Sequence, residues 1–339
     1  MRKITLGSTG LTIEKNGFGC LPIQRIGREE AASLLRMACD GGINYFDTAR
    51  AYSDSEEKVG YAFAGMRDKI ILATKTGAQT AEGFWKDLET SLKTLGTDYI
   101  DVYQFHNPAF CPRPGGEDGL YDAALEAKRQ GKIRHISITN HRLAVAREAI
   151  ESGLYATLQF PFSYLSGEQE MALVEGCRRA GMGFIAMKAL AGGLIRDGFT
   201  AAAYMDTIPD VVPIWGIQHQ WELEQFLACI KEPAALTAER QAAIERDRAE
   251  LCGEFCRGCG YCMPCPQGIE INQCARMSLM LRRAPAAAWL TAEWQEKMRK
   301  IETCLHCGQC AGKCPYGLDT PKLLEENWRD YQEILAGQG

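Results

Sequence analysis

Residues 70–106 read IILATKTGAQTAEGFWKDLETSLKTLGTDYIDVYQFH, and this one stretch carries the architecture. An apolar run at 70–74 is followed by a helical pattern over 82–95 and then by a second apolar run at 99–105. Two short apolar runs joined by a helix-length crossover read as one parallel strand–helix–strand unit. The pattern recurs on both sides. Strands are expected at 17–20, 45–47, 133–138, 157–160, 183–187 and 211–214. Helices are expected at 28–40, 55–64, 119–130, 143–152, 167–180, 200–207 and 221–230. A hairpin of residues 4–6 and 11–14, turning at Ser8-Thr9-Gly10, opens the chain. Eight strands, each followed by a helix, predict an α/β fold with a (β/α)8 TIM barrel over residues 1–232. The competing fold is an open doubly wound sheet, which normally begins with Gly-x-Gly-x-x-Gly. Gly17-Phe18-Gly19-Cys20-Leu21-Pro22 is not that motif.

From residue 236 the texture changes. A charged amphipathic helix is expected at 236–251 with Thr237 as N-cap, and two more helical stretches at 271–283 and 292–301. Residues 233–339 thus form a small, mainly helical second domain. It holds ten of the fifteen cysteines, between Cys252 and Cys314. The other five, Cys20, Cys39, Cys111, Cys177 and Cys229, are scattered and read as small buried hydrophobes. The dense ten contain a repeat: Cys256, Cys259, Cys262, Cys265-Pro266 is echoed by Cys304, Cys307, Cys310, Cys314-Pro315. Three cysteines at i, i+3 and i+6 face one cubane if the backbone curls around it, with Gly258, Gly260, Gly308 and Gly312 relieving the crowding. A fourth cysteine before proline turns outward and can serve a neighbouring cluster. Zinc prefers well-separated Cys-x-x-Cys pairs. Two [4Fe–4S] clusters of ferredoxin type are therefore expected; the first run is one residue shorter before its last cysteine, so whether Cys265 and Cys314 exchange clusters stays open, with the exchange favoured. Cys252 and Cys274 fall outside the repeat and read as bystanders. The clusters serve either as staples for a modest core or as one-electron carriers, and cysteine spacing does not separate the two.

Composition narrows the class. At 46% hydrophobic and 24% charged the chain is globular, not disordered or fibrous. A formal charge of -5 argues against nucleic-acid binding through bulk positive charge. No apolar run reaches the ~18 residues of a membrane span, and no apolar stretch follows Arg2 and Lys3 as in a secretory signal. A soluble, cytoplasmic protein is expected.

Four polar residues stand at the carboxyl ends of expected barrel strands, where catalytic groups converge. They are Asp47, with Tyr52 five residues on, Lys75 and His106. Singly each has an ordinary explanation: a helix cap, a core phenol, a snorkelling lysine, a loop histidine. Together their chemistry is coherent. A phenol is a poor acid unless its anion is stabilised, a nearby ammonium would lower its pKa, and a carboxylate keeps that ammonium charged. An imidazole beside them can hydrogen-bond a carbonyl oxygen.

These residues, with Leu6-Gly7-Ser8-Thr9-Gly10-Leu11, Asn44-Tyr45-Phe46-Asp47-Thr48-Ala49-Arg50-Ala51-Tyr52, Thr74-Lys75 and Asp101-Val102-Tyr103-Gln104-Phe105-His106, resemble the aldo-keto reductase family over roughly residues 1–230. The whole chain resembles such a reductase carrying a C-terminal iron–sulfur domain. The resemblance implies Tyr52 as acid, Lys75 and Asp47 as its tuners and His106 as orienter. It also implies that Thr139, Asn140 and Gln159 hold a nicotinamide carboxamide.

Beyond this the chain departs from the family. Met187 stands where an aromatic usually stacks on the nicotinamide. Lys188 and the following Ala189-Leu190-Ala191-Gly192-Gly193 can wrap a pyrophosphate. The adenosine segment after the last strand runs from Gly216 through Gln218 to Glu222, where NADPH-preferring members carry an arginine. A carboxylate suits a ribose diol, so NADH is expected over NADPH. The leading expectation is an oxidoreductase acting on a small carbonyl or enone substrate. The other is an iron–sulfur electron carrier, docking a redox partner protein, whose barrel is mainly a scaffold. A hydride carries two electrons and a cluster one. A flavin would bridge them, but no flavin motif is recognisable.

Overall fold

The computed structural model describes residues 2–251, 255–283 and 286–337. Strands β1 (Lys3–Thr5) and β2 (Thr12–Glu14) form the antiparallel hairpin. Eight parallel strands then close into a barrel: β3 (Gly17–Gly19), β4 (Tyr45–Asp47), β5 (Ile71–Thr76), β6 (Ile100–His106), β7 (Ile133–Thr139), β8 (Thr157–Pro161), β9 (Gly183–Met187) and β10 (Val211–Gly216). Sequential strands are neighbours, and β10 pairs with β3 to close the ring. The expected α/β barrel is what the chain forms.

The helices between the strands are α1 (Arg28–Asp40), α2 (Ser55–Ala62), α3 (Ala81–Leu95), α4 (Leu120–Arg129), α5 (Leu143–Ser152), α6 (Glu168–Ala180), α7 (Gly198–Asp206) and α8 (Gln220–Lys231). Helix α3 shows why such segments are helical. Phe84, Leu88, Leu92 and Leu95 recur on one face and are buried, and Thr80 caps the start by accepting from the Gly83 N–H. The hairpin shares a core cluster with the barrel strands. Leu6 and Ile13 pack with Tyr45, Ala73, Val102, Ile185 and Val212. Gly7 makes this approach feasible: a Cβ there would lie 2.3 Å from the Gly183 nitrogen. Buried Lys15 anchors the loop before β3 by donating to the carbonyls of Met205 and Ile208.

The remaining chain is helical: α9 (Ala238–Glu250), α10 (Ile271–Cys274), α11 (Met277–Arg283), α12 (Ala292–Arg299), α13 (Gln309–Lys313) and α14 (Thr320–Ala336). Thr237 Oγ1 accepts from the Arg240 N–H at 3.3 Å, an N-cap to α9. One expectation is corrected and one helix is added. The helix expected over 271–283 breaks at Ala275-Arg276, because the Asn327 side chain reaches in. Its Nδ2 donates to the Ala275 carbonyl and its Oδ1 accepts from the Ser278 N–H. Helix α14, capped by Asp319 and burying Leu324, Asn327 and Tyr331, was not anticipated. Cys252 lies outside the described residues; Cys274 is buried, close to the Lys297 carbonyl.

The chain divides into two compact units. One holds residues up to Ala189 together with Asp197–Ile244; the other holds Leu190–Arg196 together with the chain from Glu245. Among the described residues no helix is long and apolar enough to cross a membrane.

Candidate functional site

The carboxyl ends of β4, β5 and β6 bring three of the four expected polar residues into register, because β4 pairs with β5 and β5 with β6. Asp47 ends β4, Lys75 is the penultimate residue of β5 and His106 ends β6. Lys75 Nζ donates to Asp47 Oδ2 at 2.6 Å and to the Thr48 carbonyl at 2.7 Å. Asp47 Oδ1 accepts from Gln104 Nε2 at 3.0 Å. Gln104 shares its strand face with Val102 and His106, since side chains two apart on a strand point the same way. A buried amide on the strand face that ends in His106 was the signal for it.

Tyr52 comes from the loop after β4. That loop is pinned by N–H bonds from Thr48 to the Ala73 carbonyl and from Arg50 to the Lys75 carbonyl. The buried Glu56 fixes the next turn, accepting from Thr74 and Ser91 and pairing with Arg50. The half-buried Tyr52 ring lies 5.0 Å from Lys75 Nζ and meets the His106 ring edge-on at 5.9 Å. The four residues form one cluster.

Their acidities follow from burial first and charge second. Desolvation, then the Asp47 charge, push the Tyr52 phenol well above its ordinary value. Burial and the Asp47 carboxylate thus outweigh the lowering expected from Lys75, whose ammonium is held by Asp47. Tyr52 therefore holds its proton more firmly than a free phenol. Burial and the Lys75 ammonium take His106 down to about 3, so its imidazole is neutral.

The expected carboxamide residues divide. Gln159, Thr139 and Met187 converge: Gln159 Nε2 is 3.4 Å from Asp47 Oδ2 and 4.0 Å from Met187 Sδ, and Thr139 Oγ1 is 3.9 Å from the same sulfur. Gln159 Oε1 is buried with no hydrogen-bond partner. An orphaned acceptor beside the tetrad suits an amide N–H from a ligand. Asn140 is instead committed to its own loop, donating to the Pro108 carbonyl and accepting from the His141 and Arg142 N–H groups.

Lys188 and Ala191 adopt positive φ values of 56° and 49°, and Gly192 one of 67°. Leu190 and Gly192 group with the second compact unit, Lys188 with the first. At the end of β10, Gly216 is exposed. The Gln218 and His219 N–H groups both donate to Glu222 Oε2, at 2.7 and 2.8 Å. Glu222 thus caps the start of α8, a use of this carboxylate the sequence reading missed. Among the described residues no hydrogen bond or ion pair joins Gly216, Gln218 or Glu222 to the tetrad.

In the second unit the repeat cysteines line two cavities. One is lined by Cys256, Cys259, Cys262 and Cys314, with Tyr316 and Leu318. The other is lined by Cys262, Cys265, Cys304, Cys307 and Cys310, with Leu305 and Leu324. Each cavity thus gathers three cysteines of one run and the last of the other. Four thiols around one apolar cavity are a donor set that suits an iron–sulfur cubane.

Comparison with known proteins adds two matches along the chain. Residues 3–239 match the model of the Aldo/keto reductase family, and residues 255–319 match a 4Fe-4S dicluster domain. Among curated proteins, the chain is 34% identical over 184 residues to the uncharacterized oxidoreductase YqkF of Bacillus subtilis, a match covering 50% of this chain and 59% of that protein. It is 28% identical over 215 residues to L-galactose dehydrogenase of Arabidopsis thaliana, covering 57% of this chain and 66% of that protein. These matches span less than two thirds of either relative's length. Among solved structures, an aldo-keto reductase from Klebsiella pneumoniae in complex with NADPH is similar. It has a TM-score of 0.60 and 25% identity, covering 73% of this chain and 95% of that one.

Proposed function

Since this chain belongs to the aldo/keto reductase family, we propose that it is an oxidoreductase reducing a carbonyl, or an enone, of a small organic substrate. Tyr52 is the proton donor in this reading. The observation that carries it is the buried Lys75–Asp47 pair at 2.6 Å, with the Tyr52 ring 5.0 Å from the ammonium. A scaffold has no use for a lysine sealed under a phenol.

The roles follow from the geometry. The Tyr52 hydroxyl donates to the substrate's carbonyl oxygen and gives up its proton as negative charge develops there. The Lys75 ammonium favours that moment, since its field acts on the phenolate that remains, and solvent returns the proton. His106, neutral, donates a ring N–H to the same oxygen and orients it. Gln159, Thr139 and Met187 receive a nicotinamide, with the orphaned Gln159 Oε1 accepting from its carboxamide. Lys188 receives the pyrophosphate, and Gly216, Gln218 and Glu222 the adenosine half. When bound, the dinucleotide supplies the hydride, and iron–sulfur clusters supply one-electron transfer. We read the dinucleotide as NADH. Between Lys188 and Lys231 the sequence offers no cation except Arg196 for a 2′-phosphate.

Cys256, Cys259, Cys262 and Cys314 would hold one [4Fe–4S] cluster, and Cys265, Cys304, Cys307 and Cys310 the other. The exposure of Cys307 suits electron exchange with a redox partner protein. A reducing compartment such as the cytoplasm keeps these thiols available to iron.

The test is NADH oxidation by anaerobic, full-length protein against a panel of aldehydes, quinones and α-diketones. Turnover with one class, abolished in Tyr52→Phe, supports the enzyme. Clusters that dithionite reduces while no compound oxidises NADH would overturn it in favour of an electron carrier.

A further inference from the structure

Arg276 sits at the break between α10 and α11 and is only 6% exposed. Its Nη2 donates to the Gly192 carbonyl at 2.7 Å and lies 2.9 Å from Met280 Sδ. Its Nε is fully covered and has no hydrogen-bond partner. A guanidinium does not give up its proton in a protein, so a permanent positive charge is held here out of water. Such a charge is tolerated only beside an opposite one. Among the described residues no carboxylate pairs with Arg276; what packs beside its guanidinium is the loop of Cys256. The Cys256 turn is shaped to admit it. Gly258 has φ of 62°, its N–H points to Cys256 Sγ at 3.4 Å, and a Cβ on it would lie 2.4 Å from Arg276 Nη1. All of these residues, Gly192 included, belong to the second compact unit.

We propose that Arg276 is the built-in counter-charge of the cluster held by Cys256, Cys259, Cys262 and Cys314, and that it raises that cluster's reduction potential. The inference rests on the reading that this quartet binds a cluster. Reduction adds one electron and one negative charge to the cluster with no bond made or broken. A fixed cation alongside stabilises the reduced form more than the oxidised one. Among the described residues Arg276 packs against the Cys256 loop and meets none of Cys265, Cys304, Cys307 and Cys310, so the effect is confined to one cluster of the two.

The experiment is an EPR-monitored redox titration with dithionite of the full chain, reconstituted anaerobically, as wild type, Arg276→Gln and Arg276→Lys. Arg276→Gln is expected to shift the oxidised-to-reduced ratio of one cluster about tenfold toward oxidised, about 59 mV for one electron. The other cluster stays unchanged. Arg276→Lys keeps the charge and stays close to wild type, which also decides the matter if Arg276→Gln assembles poorly. Unmoved potentials in Arg276→Gln, or an equal fall in Arg276→Lys, overturn the proposal while leaving the cluster reading intact. A wild-type iron content that Cys256→Ser does not lower overturns the cluster reading, and the proposal with it.

Discussion

Lys75 Nζ stands 2.6 Å from Asp47 Oδ2, with the two side chains 1% and 2% exposed. Each charge is tolerable only because of the other. Removing one partner of a buried pair costs about 3–5 kcal/mol, because it strands the other. Lys75→Met is therefore expected to lower the urea midpoint well below that of wild type. The double variant Asp47→Asn/Lys75→Met should recover part of the loss. A single variant as stable as wild type would show that water reaches the pair.

Tyr52→Phe removes the hydroxyl and keeps the ring against His106. Turnover is expected to fall ~10²–10⁴-fold, with dinucleotide affinity by calorimetry unchanged. Wild-type turnover in this variant would mean that another group protonates the substrate.

His106 predicts an acid-side instability. Its ordinary value is 6.5 and the fold holds it at about 3. Below pH 6.5 the unfolded chain takes up a proton that the folded chain refuses until about pH 3. Stability is lost across that window as pH falls. Urea unfolding at pH 7, 6, 5 and 4 should show a shallower decline for His106→Asn than for wild type. Parallel curves would place the imidazole in solvent.

Glu222 bears on cofactor choice. A carboxylate near a 2′-phosphate in place of a cation should favour NADH by ~10²-fold. Glu222→Gln keeps an acceptor for the Gln218 and His219 N–H groups and removes the charge, so it should narrow the gap. Glu222→Arg should narrow it further but lose a helix cap worth about 1 kcal/mol. Tighter NADPH binding to the wild type, by calorimetry, would remove Glu222 from the site.

The cysteine cavities predict about eight iron and eight sulfide per chain. Cys314→Ser should perturb the EPR signal that Cys256→Ser abolishes, and Cys265→Ser the signal that depends on Cys304. Perturbation within each run instead would mean that the fourth cysteines do not exchange.

The barrel was legible because its rules are local. A short continuous apolar run such as 183–187 and a 3.6-residue pattern such as 28–40 announce themselves whatever surrounds them. The cysteine repeat was legible for the same reason, as the reach of three thiols to one cubane is set by spacing along the backbone. The tetrad was readable as positions on successive strand ends. Its electrostatics were not, because the field at Tyr52 depends on where Asp47 and Lys75 settle relative to each other and to water.

What tertiary structure alone decided are the pairings between residues distant in the chain. Gln104 and Gln159 meet Asp47 from two other strands, and Asn327 interrupts a helix 49 residues earlier by bonding Ser278. Arg276 donates to the Gly192 carbonyl across 84 residues, a bond within the second unit. No periodicity encodes such contacts. A hydrogen bond or a buried charge finds its partner only after packing has excluded water and fixed which groups remain within reach.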